Sequence, residues 1–294
     1  MIPKLLTKLR EAPFCLLSSR YDGLAKQLLQ AEKSNTQFIL PRATMFADDK
    51  VGPCWGDGEP MIPQLEIYGA CALIQVRGVL ASGVDEMDCF FCGAYDYEWI
   101  SEQIEMAMEV PGVKNICIAW DSPGGSTIGM ESCAEDIADA TSAGFSFTHF
   151  SGGMVCSAAY RLTLGGELLV TRDAQVGCIG AIYSIIDDSA EGTMEGRALR
   201  SFTSDGAGGE APIKTMGMPY AAVTEEIAAF MAAKVNEAAA PFHAAMLASR
   251  PKAQGVALRG GWEFGTQAVA NGLADFVADD LEEVVGALAV GNDS

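Results

Sequence analysis

Two short glycine-bearing stretches, each placed directly after an apolar run, constrain this chain more than any other feature. Val113 to Trp120 leads into Asp121-Ser122-Pro123-Gly124-Gly125, and Phe145 to Phe150 leads into Ser151-Gly152-Gly153-Met154-Val155-Cys156-Ser157. An apolar run that stops on proline and glycine reads as a buried strand that turns. Helical patterns lie between such runs. Tyr95 to Val110 carries Trp99, Ile100, Ile104 and Met108 on one stripe and stops at Pro111-Gly112, and Ser126 to Ala143 follows the first glycine pair. Further strands are expected at Ala70 to Leu80, Glu167 to Thr171 and Ile179 to Ile186, and a long Ala-rich helix at Thr224 to Leu247. Alternating strands and helices predict an α/β fold, with a mainly parallel sheet, right-handed crossovers and flanking helices. In open sheets of that kind, sites are built where strands end.

The 294 residues divide by composition. Residues 1–64 read as an N-terminal arm and loop, with helical spacing from Leu5 to Lys33 and a Gly-, Pro- and Asp-rich stretch from Pro41 to Pro63. Residues 65–284 form the main domain. Within it, 187–223 is expected to be a mobile surface loop and 224–284 a C-terminal helical part, with 285–294 as a frayed tail. No internal repeat is visible.

Charge and cysteine usage exclude several classes of function. With 39 acidic against 19 basic residues the net charge is −20, which argues against nucleic acid as a partner. Nine cysteines, an odd number, several inside strand-like runs, fit free thiols in a reducing compartment. Cys89 and Cys92 form a C-x-x-C with no second pair, so neither a metal nor a cofactor is expected. No run reaches the roughly 18 apolar residues of a membrane span, and Met1 to Arg10 lacks the apolar segment of an export signal.

The two stretches bring bare glycine amides and a serine to strand ends, a combination suited to acyl transfer. Gly124 and Gly125, expected at the head of the helix from Ser126, would offer uncapped amides to a developing oxyanion. Ser122, trapped between aspartate and proline in a tight turn, suits a structural hydrogen bond better than nucleophilic attack. Ser151 and Ser157 compete as nucleophile, and either also fits an N-cap. Ser157 lies four residues after Gly153 and opens an apolar helix, and the preference for it over Ser151 rests partly on the resemblance given below. A serine hydroxyl needs a base. Of the two histidines, His149 lies within a strand and His243 within the Ala-rich helix, both suited to structural roles. A Ser-Lys dyad is the other option. Lys214, in Ala211-Pro212-Ile213-Lys214-Thr215-Met216, has apolar neighbours and no adjacent acid, as a lysine that must lose its proton requires.

Taken in order, these landmarks resemble the signal peptide peptidase A family of serine proteases, and within it the phage capsid assembly (prohead) branch. The ordered set starts at Arg77-Gly78-Val79-Leu80, continues through Asp121 to Gly125, Gly153-x-x-x-Ser157 and Gly177-Cys178-Ile179-Gly180, then Lys214-x-x-Gly217-x-Pro219-Tyr220, and closes at Ala268 to Asp275. The resemblance implies a Clp/crotonase-type β-α superfold. It implies Ser157 as nucleophile, Lys214 as general base and Gly124 and Gly125 as oxyanion loop. Cys178 stands where family members commonly carry a serine that could orient the lysine. The implied activity is a serine endopeptidase acting on polypeptide substrates (scaffold, capsid or portal proteins) during phage head maturation. The implied setting is the assembling prohead in the bacterial cytoplasm, as a homo-oligomer, often a ring. A cellular signal-peptide-degrading peptidase, a crotonase-like acyl-CoA enzyme and a non-catalytic structural subunit are the alternatives.

Overall fold

In a computed structural model of the chain, the described residues are 14–16, 51–55, 58–185, 187–190, 213, 216, 218 and 221–290. Lys214 and most of the 187–223 segment lie outside them, as does the helical pattern expected from Leu5 to Lys33.

Thirteen strands are described. They are β1 (Phe14–Leu16), β2 (Glu66–Tyr68), β3 (Cys71–Arg77), β4 (Val79–Ala81), β5 (Ala94–Asp96), β6 (Asn115–Asp121) and β7 (Gly124–Ser126). The rest are β8 (Ser146–Ser151), β9 (Met154–Cys156), β10 (Glu167–Val170), β11 (Gln175–Gly177), β12 (Trp262–Phe264) and β13 (Phe276–Val277). The helices are α1 (Glu86–Cys92), α2 (Tyr97–Glu109), α3 (Met130–Ser142), α4 (Ala158–Leu162), α5 (Glu225–Ser249), α6 (Gly265–Ala270) and α7 (Leu281–Ala289).

The main sheet has the order β13-β10-β8-β6-β3-β2. Every neighbouring pair in it is parallel except β2 with β3. Because side chains alternate across a strand, β3 sends Ala72, Ile74 and Val76 to one face and Cys71 and Leu73 to the other. The first face packs under α2, α3 and α4, with Ile100, Ile104, Ile137 and Tyr160 in one core that also takes in Phe242 of α5. The second is covered by α7 through Val284 and Val285. Burial on both faces is what turns these strands into near-continuous apolar runs.

The second layer is the feature that the strand-helix alternation does not reveal. Past Gly78, β3 continues into β4; past Ser122-Pro123, β6 continues into β7; past Gly152-Gly153, β8 continues into β9; and past residues 171–174, β10 continues into β11. The unit is thus strand, bend, strand, helix rather than strand, helix. These second strands form a sheet β1-β7-β4-β5 and a sheet β12-β11-β9. Their segments read as turns because each strand is only three residues long and glycine or proline supplies three of the four bends.

Four expected elements shift accordingly. The helix expected from Ser126 starts at Met130, behind Gly129 in a left-handed conformation, because Gly124 to Ser126 is taken by β7. The helix expected from Tyr95 starts at Tyr97, where Asp96 caps it by accepting from the Glu98 N–H at 3.0 Å. Among the described residues no strand runs through the stretch expected from Ile179 to Ile186, and the strand in that region is β11, just before it. The tail begins later than 285, because α7 runs to Ala289 and buries Val284 and Val285. The 51–63 stretch also belongs to the core, with Val51 and Ile62 buried in it. Gln64 fastens this stretch, its amide donating to the Val51 and Ile62 carbonyls at 3.0 Å each. Among the described residues no helix is long and apolar enough to cross a membrane.

Candidate active site

The bend between β6 and β7 is stitched to β9. The Ser122 N–H donates to the Met154 carbonyl at 2.7 Å, and the Cys156 N–H donates to the Ser122 carbonyl at 3.1 Å. Asp121 braces the same strand from its other end, its Oδ1 accepting from the Met154 N–H at 3.2 Å. A Cβ on Gly153 would lie 2.5 Å from that oxygen, so a side chain there would push the Asp121 carboxylate off the Met154 amide. The Ser122 side chain turns inward and accepts from the Gly124 N–H at 3.2 Å. Ser122 therefore takes the structural role expected of it. The two glycine-bearing stretches, read as neighbours on chemical grounds, are hydrogen-bonded to each other.

Ser151 and Ser157 are separated by their bonding. Ser151 Oγ donates to the Trp120 carbonyl at 2.9 Å and accepts from the Gly153 N–H at 3.3 Å, which uses the hydroxyl to hold the β8–β9 bend. Ser157 stands alone between β9 and α4 with φ 56° and ψ −119°. Its residue is 1% exposed, yet its Oγ has no hydrogen-bond partner among the described residues. A strand-to-helix turn with the serine in a strained conformation is the geometry of a nucleophile elbow, which presents Oγ to an incoming group. Residues held there cost about 1–3 kcal/mol, and such strain clusters at functional sites.

The strain is held in place from several sides. The Ser157 N–H donates to the Gly177 carbonyl at 2.6 Å, and the Ser157 carbonyl accepts the first helical bond from Arg161 at 2.9 Å. Helix α4 is pinned by Tyr160, whose hydroxyl donates to the Leu273 carbonyl at 2.8 Å, and by the Arg161 guanidinium on Glu131 of α3. The only other non-glycine residue with positive φ among the described residues is Cys178, at 57°. Its N–H donates to the Gly261 carbonyl at 2.6 Å, and its side chain packs with Cys156, Met154 and Trp262. The two strained residues thus flank one hydrogen bond, from Ser157 to Gly177. This places Cys178 beside the serine turn, while the lysine that the resemblance would have it orient lies outside the described residues.

Gly124 and Gly125 lie near this turn, but not at a helix head. They form β7, parallel to β4 with Gly125 opposite Leu80. A Cβ at Gly125 would meet the Leu80 carbonyl oxygen at 1.8 Å, so only glycine allows that approach. Any anion they bind meets strand amides, without the helix dipole.

His149 is fully buried in β8, its Nδ1 accepting from Trp120 Nε1 at 3.2 Å. Burial, with the Arg250 guanidinium nearby, pushes its pKa down to about 3. A base that weak cannot take a serine proton near neutrality. His243 is exposed on α5. Cys89 and Cys92 carry thiols that burial pushes up to about 11 and about 12, the reverse of an activated pair. Sequence reasoning missed the bracing by Asp121, Tyr160 and Arg161. Only Asp121, at the end of an apolar run, carried a local signal.

No family profile matches the chain, and no curated protein does. Among solved structures it is similar to a lysine-to-alanine mutant of 1510-N membrane-bound stomatin-specific protease in complex with a substrate peptide. That likeness has 14% identity and a TM-score of 0.40, over 74% of this chain and 80% of the other. A serine-to-alanine mutant of the same protease gives 14% identity and a TM-score of 0.38, over 74% and 84%. Likeness at this level leaves the reading of the site to its own geometry.

Proposed function

We propose that the chain is a serine endopeptidase with Ser157 as nucleophile and Lys214 as general base. The observation that carries this reading is the buried, strained hydroxyl of Ser157, without a partner among the described residues and set at a strand-to-helix turn bonded to the Asp121–Gly125 bend. A folded chain keeps a buried polar group unsatisfied, in a costly conformation, where the group has another task. The choice of lysine rests on the sequence landmarks and on the unsuitability of both histidines.

In the proposed reaction, neutral Lys214 Nζ takes the proton from Ser157 Oγ as Oγ bonds to the peptide carbonyl carbon. The carbonyl π pair moves to oxygen, and the oxyanion is met from the Gly124–Gly125 stretch by the Gly124 N–H, since adjacent N–H groups of a strand turn to opposite edges. The Gly124 N–H reaches Ser122 Oγ over a long 3.2 Å, and a charged oxygen would outcompete that neutral acceptor. Collapse breaks the C–N bond, with the lysinium proton passing to the leaving amine. Lysine then deprotonates water, which attacks the acyl-enzyme and frees the serine. Cys178 is the group we assign to orient the lysine, as the sequence landmarks imply.

The substrate reading is narrower and rests on the phage-branch landmarks: scaffold, capsid or portal polypeptides cleaved inside an assembling prohead, by a homo-oligomer. Co-expression with the neighbouring head proteins, followed by mass spectrometry of the fragments, tests it. The chemistry is tested by a fluorophosphonate probe. Ser157 should be labelled, and Ser157→Ala should lose labelling and at least about 1000-fold in peptidase rate while keeping its fold. Labelling elsewhere, or full activity in Ser157→Ala, would overturn it.

A further inference from the structure

We propose that β1 occupies the peptide-binding edge of β7, so that the chain's own N-terminal segment competes with substrate; this rests on the peptidase reading above. Strand β7 has two edges. One is closed by β4, with Leu80 opposite Gly125. The other takes β1 antiparallel, with Phe14 opposite Ser126, Cys15 opposite Gly125 and Leu16 opposite Gly124.

Three observations make this edge a substrate edge. First, Gly124 and Gly125 project no side chain, so a strand laid there is read through its backbone, the mode in which extended peptides add to a sheet. Second, the edge is wired to the nucleophile. The Gly124 N–H reaches Ser122 Oγ, the Ser122 backbone is bonded to Met154 and Cys156, and Ser157 follows directly. Third, the occupant is itself peptide-like. Phe14-Cys15-Leu16-Leu17 is an apolar run of the β-prone kind, and among the described residues β1 pairs with no strand other than β7.

Three residues on one edge form a weak, displaceable clasp, yet tethering gives it an effective concentration in about the millimolar range. Substrate must displace it. Occlusion of this kind raises KM and leaves kcat unchanged.

The test uses the full chain with Cys15→Pro and Leu16→Pro together. Alternate residues of a strand turn their N–H groups toward the same neighbour, so the pair removes a β1 donor to β7 in either phase. A fluorescent peptide with the sequence of residues 11–20 is titrated into this variant and into the unsubstituted chain, both carrying Ser157→Ala. The peptide should bind the proline variant about ten-fold more tightly. With Ser157 intact, the proline variant should show a KM about ten-fold lower for a peptide substrate at unchanged kcat. Equal binding, or no binding to either protein, overturns the proposal. If the proline pair unfolds the chain, glycine at positions 14, 15 and 16 weakens the strand while keeping its donors, and the same criteria apply. Fluorophosphonate labelling of Ser157 separates the two readings. Absent labelling removes the peptidase reading, while the binding titration still decides what β1 does.

Discussion

In the proposed peptidase, Ser157 concentrates the cost of function. A φ of 56° with ψ −119° is a conformation for glycine, and a buried hydroxyl without a partner adds a desolvation cost. Relief of both should stabilise the protein. Ser157→Gly is expected to gain about 1–2 kcal/mol and raise Tm by a few degrees, read by thermal or urea unfolding, while abolishing activity. Ser151→Ala should do the opposite. Its hydroxyl holds the Trp120 carbonyl and the Gly153 amide inside the core, so its loss should cost about 1–3 kcal/mol with Ser157, the proposed nucleophile, still open to labelling. The pair separates a residue kept for chemistry from one kept for the fold, although the sequence offers both serines in one short stretch.

At the scale of elements, the decisive device is the bend that carries a strand from the main sheet into the second layer. Each bend needs little more than one or two residues that can turn sharply, and the following strand needs only backbone. Strand β7 shows how tight the tolerance is. Gly125→Ala would drive a methyl into the Leu80 carbonyl at 1.8 Å, against backbone that cannot swing aside. We expect it to cost more than about 3 kcal/mol and to displace β7 from β4, with loss of Ser157 labelling as the site loosens. Circular dichroism and chemical unfolding check the first, and the probe checks the second. Gly144→Ala is the control, since nothing lies within 4 Å of a Cβ there; its φ of 101° alone should cost about 1 kcal/mol. The element-level reading went wrong where these bends lie. Gly124 and Gly125 were expected at a helix head because a glycine pair after a strand, followed by a polar stretch, fits a strand-to-helix turn as well as a strand-to-strand bend. Strand pairing between β7 and β4 settles the matter, and that contact is distant in sequence.

For the whole molecule, stability should depend on pH through the buried charge cluster behind the sheet. Arg250 grips Asp275 with two bonds, at 3.0 and 2.8 Å, beside His149. Burial opposes the charged Asp275 carboxylate, but bonds from Arg250 and the Leu168 N–H outweigh it, so its pKa lies below the ordinary value. His149 also has a depressed pKa, at about 3 against 6.5 when exposed. Both groups act in the same direction. Above pH 6.5 neither His149 in the unfolded chain nor His149 in the fold holds a proton, and its contribution is complete. As pH falls below 6.5 the unfolded state takes up a proton that the fold refuses, and stability drops by about 1.4 kcal/mol per unit. Asp275 adds to the loss below pH 4. Urea midpoints at pH 7.5 and 4.5 should therefore differ by about 2–3 kcal/mol in stability from His149 alone. His149→Phe should be less stable at pH 7.5, since Trp120 loses its acceptor, but should show a flatter pH profile. An unchanged slope in that variant would move the titrating group elsewhere.

The sequence alone determined the parallel sheet, the helices around it, and the short list from which the site is drawn. Apolar runs buried on both faces, helical stripes and proline-glycine stops are local signals, set by side-chain periodicity and backbone freedom. They supplied Ser151 and Ser157 as candidates, set Gly124 and Gly125 beside them and gave Ser122 its structural role. The tertiary structure decided which serine stands unpartnered, that the glycines form a strand rather than a helix cap, and that β1 lies along them. Those outcomes depend on hydrogen bonds between segments far apart in the chain, Ser157 to Gly177, Ser122 to Met154 and the β1–β7 pairing, and no local pattern of residues encodes which distant backbone will arrive.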